Sequence, residues 1–200
     1  MKKLFYSFFA LVAMSLMFVA CGETTPEPDP EVESTCQLMQ AYYTDLENGT
    51  YLYVFELISN ELDAVNHIGI GDDIIIMMCA QPQENGAPVA KTYNTVNFQE
   101  WTQYYGEGVL TGVALSQTSF AGTFGYIVED GQATDIIFCD NAEVKFEGNN
   151  AKGILTAKIK FASGTQEGVT YDKEYVFNGE FNVKPKQSAA PATRTIKYNM

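Results

Sequence analysis

The stretch that decides the fold is AEVKFEGNNAKGILTAKIKF, residues 142–161. Apolar residues alternate with charged or polar ones on both sides of a Gly-Asn-Asn turn. Because successive side chains of a strand point to opposite faces, this alternation predicts two antiparallel strands, each with one buried and one solvent-exposed face. A third alternating segment places Tyr175, Phe177, Phe181 and Val183 on its apolar face. The sequence therefore predicts a half-buried antiparallel sheet.

Earlier segments are apolar on both faces, which is typical of strands that are covered on both sides. They are residues 51–58 and 73–79. Glycine-containing turn signals separate the segments along the whole region. We therefore expect an all-β fold, either an antiparallel β-sandwich or an up-and-down β-barrel of about nine or ten strands.

One short segment, residues 98–105, predicts a helix, because Trp101, Tyr104 and Tyr105 have the spacing to share a face. Two interpretations follow for these aromatic residues. They form a platform on which sugar rings lie, or they turn inward and cap the open end of the β core. They are the candidate ligand-binding residues of the chain.

The beginning of the chain predicts export. Lys2 and Lys3 precede an apolar run that ends at Ala20, which is the layout of a secretory signal peptide over residues 1–20. Phe18-Val19-Ala20-Cys21 resembles a bacterial lipobox, with Phe18 in place of the usual leucine. The resemblance implies that Cys21 carries lipid and becomes the first residue of the mature protein. An ordinary secreted protein with an incidental Cys21 is the alternative.

Residues 21–34 alternate prolines with acidic residues, a composition that favours an extended, semi-rigid stalk. In Bacteroidetes-type lipoproteins, acidic residues after the lipidated cysteine resemble a signal for export to the outer face of the outer membrane, although a plain solvated spacer has the same composition. We expect one β domain over 35–186. The polar tail, residues 187–200, either adds an edge strand or frays.

The β segments also resemble those of β-rich Bacteroidetes surface lipoproteins of uncharacterised function. The resemblance rests on turn and strand signatures at 119–138, 142–146 and 174–179, with further likeness at 41–43 and 71–74. It implies an antiparallel β fold and a location at the bacterial outer membrane, on the cell surface. It implies no reaction.

Charge excludes one class of partner. The chain has 12 basic and 25 acidic residues, a formal net charge of −13, and removing residues 1–20 takes away Lys2 and Lys3, which makes it −15. Such a field repels phosphate backbones, so we expect no nucleic-acid partner. Cysteines Cys36, Cys79 and Cys139 predict either one disulfide with one free thiol or three buried thiols.

Catalytic and metal-binding motifs are weak. Five acidic residues could supply a general acid or base, but four of them, Asp72, Asp73, Glu129 and Asp130, are better interpreted as turn residues; the fifth is Asp135. His67 is the one histidine and has no nucleophile motif beside it. No closely spaced oxygen ligands predict calcium. We expect no catalytic residue, cofactor or metal.

These features predict a membrane-anchored, non-enzymatic lipoprotein that binds a glycan or another envelope protein. A structural or adhesive subunit of a cell-surface assembly is the second hypothesis. A hydrolase that works through carboxylates is the third.

Overall fold

A computed structural model describes residues 32–63, 65–66 and 68–186. The described residues from Glu33 onward form one compact unit. It has twelve strands and one helix. The strands are β1 Cys36–Asp45, β2 Tyr51–Ser59, β3 Ile70–Ala80, β4 Lys91–Val96, β5 Gly108–Leu110, β6 Val113–Ser116, β7 Ser119–Ala121, β8 Phe124–Glu129, β9 Gln132–Gly148, β10 Gly153–Ser163, β11 Thr170–Gly179 and β12 Lys184–Pro185, and helix α1 is Phe98–Tyr104.

Ten of the strands form one sheet, in which β1, β2 and β3 are one antiparallel meander and β8, β9, β10 and β11 are another. β3 joins the second meander in two ways. It pairs directly with β8, and farther along it pairs with β5, which pairs with β4, which pairs with β9. Strands β6 and β7 form a separate hairpin.

The two ends of the large sheet meet, so the sheet curls into a barrel-like shape. The Thr35 N–H donates to the Val176 carbonyl at 2.8 Å. In return, the Val176 N–H donates to Thr35 Oγ1 and the Asn178 N–H donates to Ser34 Oγ, both at 2.9 Å. The all-β prediction is therefore confirmed. The strand count exceeds nine or ten because β5, β6, β7 and β12 contain only two to four residues each.

The core lies inside this barrel and is built from every second residue of the long strands, as the alternating pattern at 142–161 predicts. Its members include Tyr53, Phe55, Leu57, Ile74, Ile76, Met78, Val144, Phe146, Leu155, Ala157, Ile159 and Phe161. Phe181 and Val183 are buried there as well, but they follow the end of β11 at Gly179 instead of continuing the strand. The Phe181 ring packs edge to face against Phe55 of β2, Phe146 of β9 and Phe177 of β11.

The outer wall is covered where β2 and β3 are apolar on both faces. Trp101 of α1 packs there with Cys79 and Leu110. The Asn97 side chain caps this helix by accepting from the N–H groups of residues 99 and 100.

Among the described residues, no helix is long and apolar enough to cross a membrane.

The barrel has two ends that matter for function. The upper end holds the β1–β2 and β9–β10 turns, and the lower end holds the β2–β3, β8–β9 and β10–β11 connections. Strand β1 starts at the lower end, because Cys36 pairs with Ser59, the last residue of β2.

Candidate functional site

A groove of about 520 Å³ crosses the outer face of β4, β9, β10 and β11. Side chains that alternate away from the core line it, which is why they are polar although their strand neighbours are apolar. Those side chains include Asn94, Glu143, Lys158, Lys160, Asp172 and Glu174. From β4 to β11 the groove crosses three strand spacings, roughly 14 Å at about 4.8 Å each.

Strand register sets the charge pattern of the groove. Lys158 lies opposite Glu143 on one neighbouring strand and opposite Glu174 on the other. Lys160 lies opposite Asp172 of β11 in the same way. None of the ion pairs formed by residues 32–63, 65–66 and 68–186 involves either lysine. A row of ammonium groups therefore runs between two rows that contain carboxylates, and the residues that carry these groups are exposed to solvent.

The candidate aromatic residues do not form one platform. Trp101 is buried, whereas Tyr104 and Tyr105 are exposed. The helix ends at Tyr104, and Tyr105 adopts a left-handed conformation with φ 52° while its N–H donates to the Trp101 carbonyl at 2.7 Å. Its ring meets the Trp101 indole edge to face, with ring centroids 5.0 Å apart. The three rings therefore do not share one exposed face as predicted, because Trp101 is turned inward against Cys79 and Leu110 while Tyr104 and Tyr105 face solvent.

Two of the acidic candidates lie inside a strand. Asp72 and Asp73 belong to β3 and are buried, so their interpretation as turn residues is wrong. Asp130 does lie in the turn between β8 and β9, with φ 49°, and Glu129 is the last residue of β8. The sequence Gly69-Ile70-Gly71 before the two aspartates resembles a turn, but it continues the ladder between β3 and β8.

Asp72 and Asp135 are buried on the inner wall near the lower end, and the chain itself satisfies both carboxylates. Lys173 Nζ lies 3.0 Å from Asp72 Oδ2, and the Tyr175 hydroxyl donates to the same oxygen at 3.0 Å. Asp135 accepts from Thr165 Oγ1 at 2.7 Å and from the Tyr171 hydroxyl at 3.0 Å.

The tyrosine partners respond to this burial. Burial, followed by the adjacent Asp72 carboxylate, raises the pKa of Tyr175. Burial, followed by the hydrogen bond to Asp135, raises the pKa of Tyr171. Both phenols therefore stay protonated and keep donating. The arrangement ties β11 to β3 and β9 through polar contacts inside the barrel.

The three domain cysteines are free, buried thiols. Burial raises the pKa of Cys36 to about 11, and burial together with Asp140 raises the pKa of Cys139 to about 12. Such thiols are poor nucleophiles, because the reactive species is the thiolate. In the part of the chain that the structure describes, no group of three or more His, Cys, Asp or Glu side chains could hold a metal ion. His67 and Cys21 lie outside the described residues.

Comparisons of the chain with protein-family models, with curated proteins and with solved structures gave no significant match. Sequence patterns identify the groove lysines as solvent-facing residues, but they do not show which acids lie opposite them. That information depends on strand register.

Proposed function

We propose that this protein is a lipid-anchored protein of the bacterial outer membrane, exposed on the cell surface, that binds a polar ligand without catalysing a reaction. A glycan, or a polar segment of another envelope protein, is the ligand that this geometry favours. The groove across β4, β9, β10 and β11 carries the proposal, because its two lysines form no ion pair with the acids beside them.

The chemistry of the groove suits a glycan. Sugar hydroxyls both donate and accept hydrogen bonds, and the groove offers donors from Lys158 and Lys160, acceptors from its carboxylates, and both from Asn94. These groups lie in rows across neighbouring strands, so an extended ligand meets them in turn. The net negative charge of the chain disfavours a nucleic acid.

The buried carboxylates support binding over hydrolysis. Asp72 and Asp135 are each held by two donors of the chain, and these bonds occupy the oxygens that acid–base chemistry would need. Their contacts account for them as structural residues.

Ligand arrays test the groove directly. The full-length chain is screened on glycan arrays, and any hit is measured again with a Lys158→Ala, Lys160→Ala double variant. We expect the double variant to lose most of the affinity. Lys145→Ala is the matched control, because Lys145 also faces outward but pairs with Glu147 at 2.9 Å. Binding that survives the double variant unchanged, or that Lys145→Ala weakens equally, would contradict this site.

The exposed tyrosines offer a second contact for the same class of ligand. Tyr104 and Tyr105 present aromatic surface beside the helix end. If they take part, Tyr104→Ala should weaken glycan binding without changing thermal stability. Equal binding by this variant would assign the ligand to the groove alone.

The second candidate is a structural or adhesive subunit. β12 pairs in parallel with β1, so the described chain ends at Lys186 beside a sheet edge, from which residues 187–200 continue. Deleting residues 187–200 should then abolish self-assembly in light-scattering measurements. A monomer with and without these residues would remove this hypothesis.

A further inference from the structure

The β2–β3 connection at the lower end of the barrel exposes aliphatic side chains. Val65 is 75 % exposed, Ile68 60 % and Ile70 66 %. We call these three residues the apolar tip. Each aliphatic side chain in water forgoes the free energy of burial, so a group of three within six residues indicates a contact surface.

The backbone of this connection holds the apolar tip away from the core. Asp63 Oδ1 accepts from the N–H groups of Val65 at 2.7 Å and Asn66 at 2.9 Å. The Asp63 N–H in turn donates to the Ile68 carbonyl at 2.9 Å. Gly69 has φ 118°, and a Cβ there would collide with the Glu61 carbonyl oxygen. The exposure of the tip is thus built into the local hydrogen bonding.

Exposed carboxylates surround the apolar tip. Glu61 and Asp63 belong to the same connection, and both are exposed. Glu129 lies opposite Ile70 in the ladder between β3 and β8, and the Asp130 N–H donates to the Gly69 carbonyl at 2.8 Å. This acidic rim repels a second copy of the same surface and an anionic lipid layer. It fits an apolar surface whose outermost groups are cationic.

The position of the tip in the chain indicates where such a surface lies. Asn60 donates through its side chain to the Ser34 carbonyl at 2.7 Å and through its backbone to the Thr35 carbonyl at 3.2 Å. The tip therefore occupies the same barrel end as the start of the domain. Cys21 lies 13 residues before Ser34, a length that reaches at most about 47 Å.

We propose that the apolar tip docks on a bilayer of zwitterionic, ammonium-bearing lipid such as phosphatidylethanolamine. The aliphatic side chains enter the acyl boundary, and the exposed carboxylates of Glu61, Glu129 and Asp130 pair with headgroup ammonium groups. This inference rests on the proposed lipid anchor at Cys21, whose stalk of at most about 47 Å allows the lower end to reach the membrane. Docking would orient the barrel and leave the groove on its side wall open to ligand.

Depth-dependent quenching tests the docking. The full-length, lipidated chain is reconstituted into vesicles of phosphatidylethanolamine and phosphatidylcholine that contain brominated acyl chains. In brominated vesicles, compared with unbrominated ones, the Val65→Trp variant should lose a larger fraction of its fluorescence than the unmodified chain loses through Trp101, and its emission should shift to the blue. Leu115→Trp is the matched control, because Leu115 is 62 % exposed but lies in the β6–β7 hairpin. It should show no added quenching.

Two further measurements sharpen the outcome. Adding Ile68→Asp to Val65→Trp should abolish the added quenching, and replacing the ethanolamine lipid by phosphatidylglycerol should reduce it. Vesicles that float without the protein would overturn both the anchor and the docking. Protein that floats with the vesicles but shows no quenching at position 65, or equal quenching at position 115, would overturn the docking alone and leave a protein partner as the occupant of the tip.

Discussion

The contact between Lys173 and Asp72 gives the sharpest stability prediction, because it joins β11 to β3 across the inside of the barrel. The ammonium lies 3.1 Å from Oδ1 and 3.0 Å from Oδ2, so it contacts both carboxylate oxygens. Replacing Lys173 by Met keeps most of the aliphatic stem and removes the charge. Of the described residues, Tyr175 is then the one whose side chain still donates to the Asp72 carboxylate.

The magnitude follows from the exposure of the two side chains. Breaking a buried pair by removing one partner costs about 3–5 kcal/mol. The Asp72 side chain is only 9 % exposed, but the Lys173 side chain is 31 % exposed, so water already screens part of the attraction. We therefore expect roughly half of that cost, about 1.5–2.5 kcal/mol. For a domain of this size the melting temperature should fall by roughly 4–8 °C.

Thermal and urea unfolding measure this effect. Lys158→Met is the matched control, since Lys158 faces outward on the adjacent strand and forms no ion pair within the described part of the chain. It should change stability by no more than about 0.5 kcal/mol. A double-mutant cycle with Asp72→Asn should show that Lys173→Met costs less when the carboxylate is gone. If Lys173→Met is no more destabilising than Lys158→Met, the contact adds nothing to stability and the reasoning is refuted.

Other predictions concern the core. Trp101 Nε1 is buried and has no hydrogen-bond partner among the described residues, so Trp101→Phe should cost less than about 1.5 kcal/mol in urea unfolding while Trp101→Ala costs about 3–5 kcal/mol; equal losses would contradict this. The pKa values of the Cys36 and Cys139 thiols rise from 9.0 to about 11 and about 12, so the folded chain retains protons that the unfolded chain loses. The stability they contribute is present below pH 9 and falls as the pH rises toward 11, and a Cys36→Ala, Cys139→Ala double variant should show a shallower fall. Gly112→Ala should destabilise the folded chain by several kcal/mol in thermal unfolding, because the added Cβ would meet the Thr123 carbonyl oxygen. A melting temperature equal to that of the unmodified chain would show that the backbone at Gly112 and at Thr123 can move apart.

Local sequence patterns predicted the inner and outer faces of a strand correctly wherever these faces depend on the strand's own residues. The alternation at 142–161 predicted the inner residues of β9 and β10, and the short helix appeared at 98–104 as the spacing indicated. Phe181 and Val183 show the limit of this reasoning. Both are buried as the alternation predicted, yet they follow the end of the strand. A side chain can be buried by packing against other side chains even where its backbone is not paired in a sheet.

Sequence patterns predicted the wrong environment for a residue whose partners lie far along the chain. Asp72 follows glycines and resembles a turn residue, but its partners Lys173 and Tyr175 are 101 and 103 residues away. The charge pattern of the groove likewise depends on residues that are far apart in the chain. Lys158 is visible as a solvent-facing residue, whereas its position between Glu143 and Glu174 depends on two strand pairings.

The sequence by itself determined the β class of the domain and the inner and outer faces of its long strands, because each of these depends on neighbouring residues. The export signal and the lipid on Cys21 stay predictions from the sequence. Only the tertiary structure decided how the sheet curls, which acids are buried against Lys173 and Tyr171, and which charges line the groove. Those features arise from pairing between strands that are distant in the chain, and the period of one strand carries no information about the register of the next.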